Sequence, residues 1–331
     1  MKPTDVSRYQ IVVEKAGQFM LDAVEPSGSL GKEATSLDCY YKNIASLALI
    51  GHTEEAMRVA DFIKKTFAKA DGDFTGRGNP WFDAYPGYTN DWIAYGAHLI
   101  GRYDLSYGAM PHILSKQGPT GGFSAGKGKP YDILCTASAA HICLVTGYLD
   151  QAKRAGDFIL KQLEKQPCPD ERFYVRADEN GNAITEFSEE EASFFAVETS
   201  QKRQFYFYYG FPMASLGKLY AATGDERYVR GGAQCFDFLL LCEEDRFRMP
   251  ASGKAGWGSS IMARVTGEER YRDGAVAVAD YLTETQHESG AWPHALLDTP
   301  FEELPPAITF DLAGEFIAWM KLICTELTFG E

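Results

Sequence analysis

The sequence predicts an all-α fold, an (α/α)6 toroid of six helical hairpins with inner and outer helix rings, in a single domain spanning residues 1–331. Three observations carry this. The first is a set of glycine breaks with one layout: "ALIGHTEEA" at Gly51, "HLIGRYDLS" at Gly101, "LVTGYLDQA" at Gly147, "AATGDERYV" at Gly224 and "RVTGEERYR" at Gly267. In each, an apolar helix runs into a glycine and a polar turn opens a second, amphipathic helix; glycine just past a helix end supplies a left-handed cap. The gaps of 50, 46, 77 and 43 residues mark an array of helix pairs. The second observation is an alternating punctuation of glycines and aromatics, near Gly28, Gly72, Gly121, Phe173, Phe247 and Gly290. The third is that the intervening segments are of two kinds. Segments such as "IASLALI" and "TASAAHICLVT" are apolar or small on most faces and read as buried, whereas "TEEAMRVADFIKKTF" and "QAKRAGDFILKQLEK" carry one apolar stripe and one charged face.

Apolar periodicity places twelve helices near 5–24, 36–50, 53–68, 90–100, 103–116, 131–146, 149–165, 205–223, 226–242, 253–266, 268–286 and 308–327. Six pairs closing into a ring is the economical arrangement, because it leaves no exposed terminal repeat. The long connections at 69–89, 117–130, 166–204 and 286–306 all lead from an outer helix to an inner one. They therefore gather at the N-terminal ends of the inner helices, and that face is expected to hold the site. The 77-residue gap carries its excess in 166–204, a lid-like insertion whose Phe187, Phe194 and Phe195 would close over a ligand or form an oligomer contact.

Composition narrows the function classes. The net charge of −14 with no Lys/Arg block argues against nucleic acid or an anionic membrane as partner. No run approaches a membrane span, and the N-terminal residues lack the apolar stretch of a signal peptide. Seven scattered cysteines without a CxxC read as reduced thiols in a cytoplasmic protein. The expected partner is a small-molecule substrate, with a homo-oligomer left open.

In "QGPTGGF", Gln117, Gly121, Gly122 and Phe123, and in "QHESGAW", Gln286, Gly290 and Trp292, form a Gln-x3-Gly-x-aromatic turn before an inner helix. This turn resembles that of the terpenoid cyclase and protein prenyltransferase toroids. The resemblance implies the ring of helices; the same ring is used by unsaturated glucuronyl hydrolases, sugar epimerases and linalool dehydratase-isomerase, so it does not fix an activity. The chain departs from the cyclase branch in lacking the DxDD and DDxxD motifs, and from the prenyltransferases in lacking their zinc-binding stretch. His287, His294 and Asp298 are the residues nearest to a metal set, and loop histidines are more often plain surface residues. No metal and no cofactor is expected.

Acid–base groups at the inner-helix starts remain for chemistry. Asp38, Asp91, Asp132 and Asp311 recur at what reads as one point of the repeat. Asp in a first helical turn also caps free N–H groups, which is the purely structural account. Converging helix ends would instead aim these carboxylates into one cavity and raise at least one pKa. Glu315, one turn beyond Asp311, puts two carboxylates on one helix face, and Lys42 is spaced to pair with Asp38. Cys135, three residues after Asp132, would face the same cavity as a thiol acid or nucleophile; buried cysteine is more often a small hydrophobe. Tyr41, Trp81, Tyr85, Tyr88, Trp92, Tyr95, Tyr208, Tyr209, Trp257 and Trp292 cluster near these positions as substrate-binding walls, or pack between helices. The expected activity is a metal-independent lyase, isomerase or cyclase acting on an apolar, terpenoid- or polyketide-like metabolite by Asp/Tyr proton transfer or shape-imposed cyclisation. The alternatives are a carbohydrate enzyme of the unsaturated-uronide hydrolase or epimerase kind, and a non-catalytic ligand-binding ring.

Overall fold

A computed structural model of the chain describes residues 5–79, 85–126, 128–294 and 299–328. Among these, thirteen helices are present: α1 (Ser7–Ala23), α2 (Asn43–Leu49), α3 (Thr53–Phe67), α4 (Pro86–Leu99), α5 (Tyr103–Leu114), α6 (Ile133–Thr146), α7 (Leu149–Glu164), the single turn α8 (Ala192–Phe195), α9 (Phe207–Thr223), α10 (Glu226–Leu241), α11 (Gly253–Thr266), α12 (Glu269–Glu284) and α13 (Pro306–Thr328). The chain divides into two compact units, one of residues 5–114 with 282–325, the other of residues 115–281 with 326–328. Among the described residues no helix is long and apolar enough to cross a membrane.

The two kinds of helix follow from their patterns. In α3 the buried residues are Ala56, Val59, Ala60, Ile63 and Phe67, one stripe at helical spacing. Glu54 and Glu55 occupy its first turn and Lys64 and Lys65 its last, signs that suit the helix dipole. By contrast α6 buries every residue from Ile133 to Cys143, and α9 every residue from Phe207 to Gly217. A helix without a polar face has no side to turn to water, so these form the interior.

The two glycine sets differ physically. Gly147 ends α6 in the left-handed region at φ 85°, with open space where a Cβ would stand. Gly121 and Gly290 are also left-handed, at φ 96° and 97°, but a Cβ there would land on the backbone carbonyl of Arg154 in α7 and of Lys15 in α1, respectively. The glutamine that opens each turn completes it. Gln117 Nε2 donates to Gly121 O (3.1 Å) and Gln151 O (2.9 Å), and Gln286 Nε2 donates to Gly290 O (2.8 Å) and Val12 O (2.9 Å). Each turn is thereby pinned against an outer helix by its own side chain.

Three details depart from the sequence reading. Residues 36–42 form a short 3-10 turn, Leu37–Cys39, before α2 rather than part of that helix. Helices α4 and α13 begin at Pro86 and Pro306, where a fixed φ and a missing N–H are tolerated. Asp91 and Asp311 therefore each lie five residues inside a helix, past its first turn. The insertion 166–204 holds strands that helical periodicity did not reveal: β2 (Arg172–Tyr174) pairs with β4 (Ala196–Glu198), and β3 (Arg176–Ala177) pairs with β1 (Tyr131–Asp132), all antiparallel. The insertion is thus stitched to the start of α6, with Ile133 N–H donating to Val175 O (3.0 Å).

Candidate functional site

The first unit contains a buried cation between two carboxylates. Lys42, immediately before α2, is 2% exposed, and its ammonium lies 2.9 Å from Asp311 Oδ1 and is hydrogen-bonded to Glu315 Oε2. Asp311 and Glu315 share one face of α13 because they are four residues apart. Trp319, four further on, donates its indole N–H to the other oxygen of Glu315 (2.9 Å). A close approach of α2 to α13 makes this possible: a Cβ on Gly314 would collide with the Asn43 amide. On the other side, a Cβ on Gly96 of α4 would run into the Ile44–Ala45 backbone.

Aromatic rings surround the trio. The Lys42 ammonium lies 5.0 Å from the centroid of the Tyr41 ring. Tyr41 is 6.2 Å from Tyr88, Tyr88 is 6.3 Å from Trp92, and Trp92 is 6.2 Å from Tyr95 and 5.2 Å from Trp319, all edge-on. Edge-to-face packing of this kind builds a rigid wall. The Tyr41 hydroxyl donates to Asp311 and is held well above the ordinary phenol range, by burial first and then by the Asp311 charge. Tyr88 is pushed up in the same way, by burial and then by Glu315, with Asp311 and Asp91 adding to it and a hydrogen bond with Trp92 opposing. Four sequence-predicted residues, Tyr88, Asp91, Asp311 and Glu315, thus share one electrostatic neighbourhood.

The charges set each other. Burial acts to lower the Lys42 amine, but Asp311 and Glu315 override it and raise the amine above its usual value. Asp311 is raised, chiefly by burial and also by Glu315, against the pull of Lys42. Its side chain keeps 24% exposure, so within the trio it has the most contact with solvent. Burial depresses the half-buried His294, and Asp311 draws its value back up. Its Nδ1 has no hydrogen-bond partner among the described residues.

Asp38 is arranged differently from the sequence expectation. Lys42 pairs with α13, and Asp38 Oδ2 instead accepts the backbone N–H groups of Gly78 (2.6 Å) and Asn79 (2.8 Å). Its Oδ1 is buried without a hydrogen bond among the described residues. The reason is direction: residues 37–39 are in a 3-10 turn, so a spacing of four does not bring positions 38 and 42 onto one helical face. Arg77, the basic residue of the adjoining loop, is spent on that loop and on the start of α4, donating to Thr89 Oγ1 (2.9 Å), Asn90 Oδ1 (2.6 Å) and Asp73 (3.1 Å).

The second unit holds Asp132 and Cys135. Asp132 is the N-cap of α6, its Oδ1 accepting from Leu134 N (2.8 Å) and Cys135 N (3.1 Å), while Oδ2 faces Arg176 Nε at 3.3 Å. Burial raises its pKa and Arg176 opposes this. Here the capping account holds. The insertion's phenylalanines serve the same pair: Arg176 lies over the rings of Phe195 (4.7 Å) and Phe194 (5.8 Å), and Phe187 stacks on Phe195 at 5.2 Å. Cys135 is buried at the first turn of α6. The four aspartates are therefore not equivalent: one caps a helix, one sits in a 3-10 turn and two are inside helices.

The remaining aromatics divide between wall and core. Tyr85 is fully buried just before α4. Tyr208 packs on Phe207 (4.7 Å), and Tyr209 on Phe173 (4.9 Å) with Cys242 against its hydroxyl. Trp257 meets His141 (5.3 Å) and Phe211 (5.4 Å). Trp292 donates to Leu282 O (2.7 Å) and packs on Phe316, which anchors the Gln286 turn. Trp81 and Asp298 lie outside the described residues. Sequence reasoning missed Trp319 and gave Lys42 the wrong partner; the signal available was a lone lysine in an otherwise apolar inner segment. Among the described residues no three His, Cys, Asp or Glu side chains are grouped to hold a metal ion.

No protein-family model matches the chain, and no curated protein matches it. Solved structures do. A D-mannose isomerase superposes with a TM-score of 0.69 at 11% identity, over 99% of both chains. The GH76 α-mannanase of Bacteroides thetaiotaomicron gives 0.66 at 13% identity, over 96% of this chain and 95% of that one. The fold is an (α/α)6 toroid. A variant of the type II terpene cyclase MstE from Scytonema, in complex with geranylgeranyl dihydroxybenzoate, gives 0.59 at 11% identity, over 97% and 99%. The likeness read from the Gln117 and Gln286 turns is thus met at the level of fold, and at these identities it is a likeness of fold alone.

Proposed function

We propose that the protein is an enzyme that transfers a proton next to the carbonyl of a neutral sugar, in the manner of an aldose–ketose isomerase. The observation that carries this is the Lys42–Asp311–Glu315 trio set in an aromatic wall. Asp311 is the base: its raised affinity for a proton and its solvent contact suit it to take one from carbon. Lys42, always charged here, stabilises the oxyanion that develops as the proton leaves. His294, kept neutral near Asp311, carries the proton between substrate oxygens. Glu315 and Trp319 hold Lys42 in place.

Hydrolysis fits less well. A glycosidase needs two carboxylates flanking an open gap of about 5–9 Å. Asp311 and Glu315 converge on one ammonium instead, which fills the space between them. Polar groups among the aromatics are what a sugar needs, and they favour a carbohydrate over the apolar metabolite expected from sequence. Two of the structural neighbours are named for mannose or mannan chemistry, which supports the choice.

The test is to incubate the protein with mannose and other neutral hexoses in deuterium oxide. Deuterium entering at the carbon beside the carbonyl, lost in Asp311→Asn, is the expected result; no exchange with any hexose defeats the proposal. The ring wall of Tyr41, Tyr88, Trp92 and Trp319 favours a second reading, cyclisation of an apolar metabolite. A thermal shift with prenylated aromatics and none with hexoses would select it.

A further inference from the structure

A cleft of about 390 Å³ lies in the first unit, lined by α1, by α13 and by the turn that follows α2. Neither Lys42, Asp311, Glu315 nor His294 lines it. Its volume falls within the range of small-molecule sites, roughly 300–1,000 Å³. The sequence shapes it in a simple way. On α1, Val13, Gly17 and Leu21 follow at four-residue spacing, so they share one helix face and form an apolar wall. Ile50, the residue that ends α2, seats on this wall because position 17 has no side chain; a Cβ there would stand 2.9 Å from its Cδ1. From α13 the buried Cys324 continues the apolar lining.

Two opposite charges belong to the same cleft, Glu14 on α1 and Lys321 on α13. They form no ion pair with each other, and neither side chain has a hydrogen bond or ion pair with any other described residue. The Lys321 charge is felt within the cleft: burial pushes the Cys324 thiol up to about 11, and Lys321 works against that rise. Other polar groups of the lining are engaged elsewhere. Gln18 Nε2 donates to Asp22 (2.6 Å), and His52 Nδ1 is 3.8 Å from Glu55.

This combination selects a class of ligand. A simple anion would meet Glu14 as a like charge, and a simple cation would meet Lys321 in the same way. A molecule that carries both charges complements both residues. Among the described lining residues there is no Phe, Tyr or Trp, so the cleft lacks the flat rings on which a sugar face stacks. It offers branched aliphatic surface instead. We infer that the cleft binds a free aliphatic α-amino acid, its carboxylate on Lys321, its ammonium on Glu14 and its side chain against Val13, Leu21 and Ile50. The site is separate from the Lys42 trio and does not depend on the function proposed for it.

The experiment is calorimetric titration of the full chain at pH 7 with L-leucine, leucinamide, 4-methylpentanoate and glycine. The second lacks the carboxylate, the third the amine and the fourth the aliphatic side chain. L-Leucine should saturate a single site, and each of the others should bind at least about tenfold more weakly, the loss of one charged hydrogen bond or of the buried side chain. Lys321→Gln should weaken L-leucine by a similar factor and leave leucinamide unchanged. Glu14→Gln should weaken L-leucine and leave 4-methylpentanoate unchanged. Both substitutions place a good helix former on the surface of a helix, and circular dichroism should match the parent. Absence of saturation by L-leucine, 4-methylpentanoate or leucinamide binding as tightly as L-leucine, or unchanged L-leucine binding in both variants overturns the inference.

Discussion

The Lys42–Asp311–Glu315 trio and the Asp132–Arg176 pair are both buried ionic clusters, yet they differ in what holds the carboxylate. Asp132 accepts two backbone N–H groups at the end of α6 besides facing Arg176. It completes a helix terminus, and Arg176 is in turn covered by the rings of Phe194 and Phe195. Asp311 and Glu315 lie within α13, complete no terminus, and share one cation. Two carboxylates against one ammonium give a cluster that no helix terminus requires. A buried ion pair is in general poor value for stability. An unbalanced one that keeps contact with solvent is what the proposed proton transfer requires.

Exchanging the carboxylates breaks or keeps this comparison most sharply. Asp311→Asn should lower turnover by about 10²–10⁴-fold with the fold intact, whereas Asp132→Asn, which can still cap α6, should leave turnover within a few-fold. Steady-state kinetics on both decides; equal losses would erase the distinction.

Removing the cations comes next. Lys42→Met leaves two buried carboxylates facing each other and should cost about 3–5 kcal/mol in urea unfolding. Arg176→Met should cost less, about 1–3 kcal/mol, because two N–H donors still satisfy Asp132. If Arg176→Met proves the more damaging, the trio is not the strained cluster.

The pH dependence sharpens the contrast further. With Asp311 as the proposed base, kcat/KM should rise with pH through its raised value. Losing the Lys42 charge in Lys42→Met should move that limb to higher pH, since Lys42 lowers the Asp311 value. For stability the sign is opposite. The native state keeps the Asp311 proton where the unfolded chain has released it, so stability falls as pH rises from about 3.9 through the raised native value. Asp311→Asn should flatten the Tm between pH 4 and 7, and an unchanged slope would place the titration elsewhere.

The smallest effects concern the turns. Gly290→Ala and Gly121→Ala add a collision with a carbonyl to a left-handed φ, and should cost more than about 2 kcal/mol. Gly147→Ala meets open space and should cost about 1–2 kcal/mol, the left-handed penalty alone. Thermal melts of the three would reveal whether the carbonyl approach matters.

The helices and their pairing were legible in the sequence because apolar periodicity and left-handed glycine caps are local properties, fixed by residues a few positions apart. The predicted spans 53–68 and 253–266 match α3 and α11 to within one residue. The doublet of Asp311 and Glu315 was also legible, since helical spacing alone places them on one face. Partners were not. Lys42 chose α13 over Asp38 because Gly314 and Gly96 let three helices approach closely, an arrangement that brings residues 273 positions apart within hydrogen-bond reach. The same limit hid the strands of the insertion, whose short segments find their pairing only when β1 and β3 meet. Sequence by itself determined the main helices, the glycine turns and the identity of the charged groups. The tertiary structure alone decided which charges meet, because burial, field and counter-ion are set by neighbours in space.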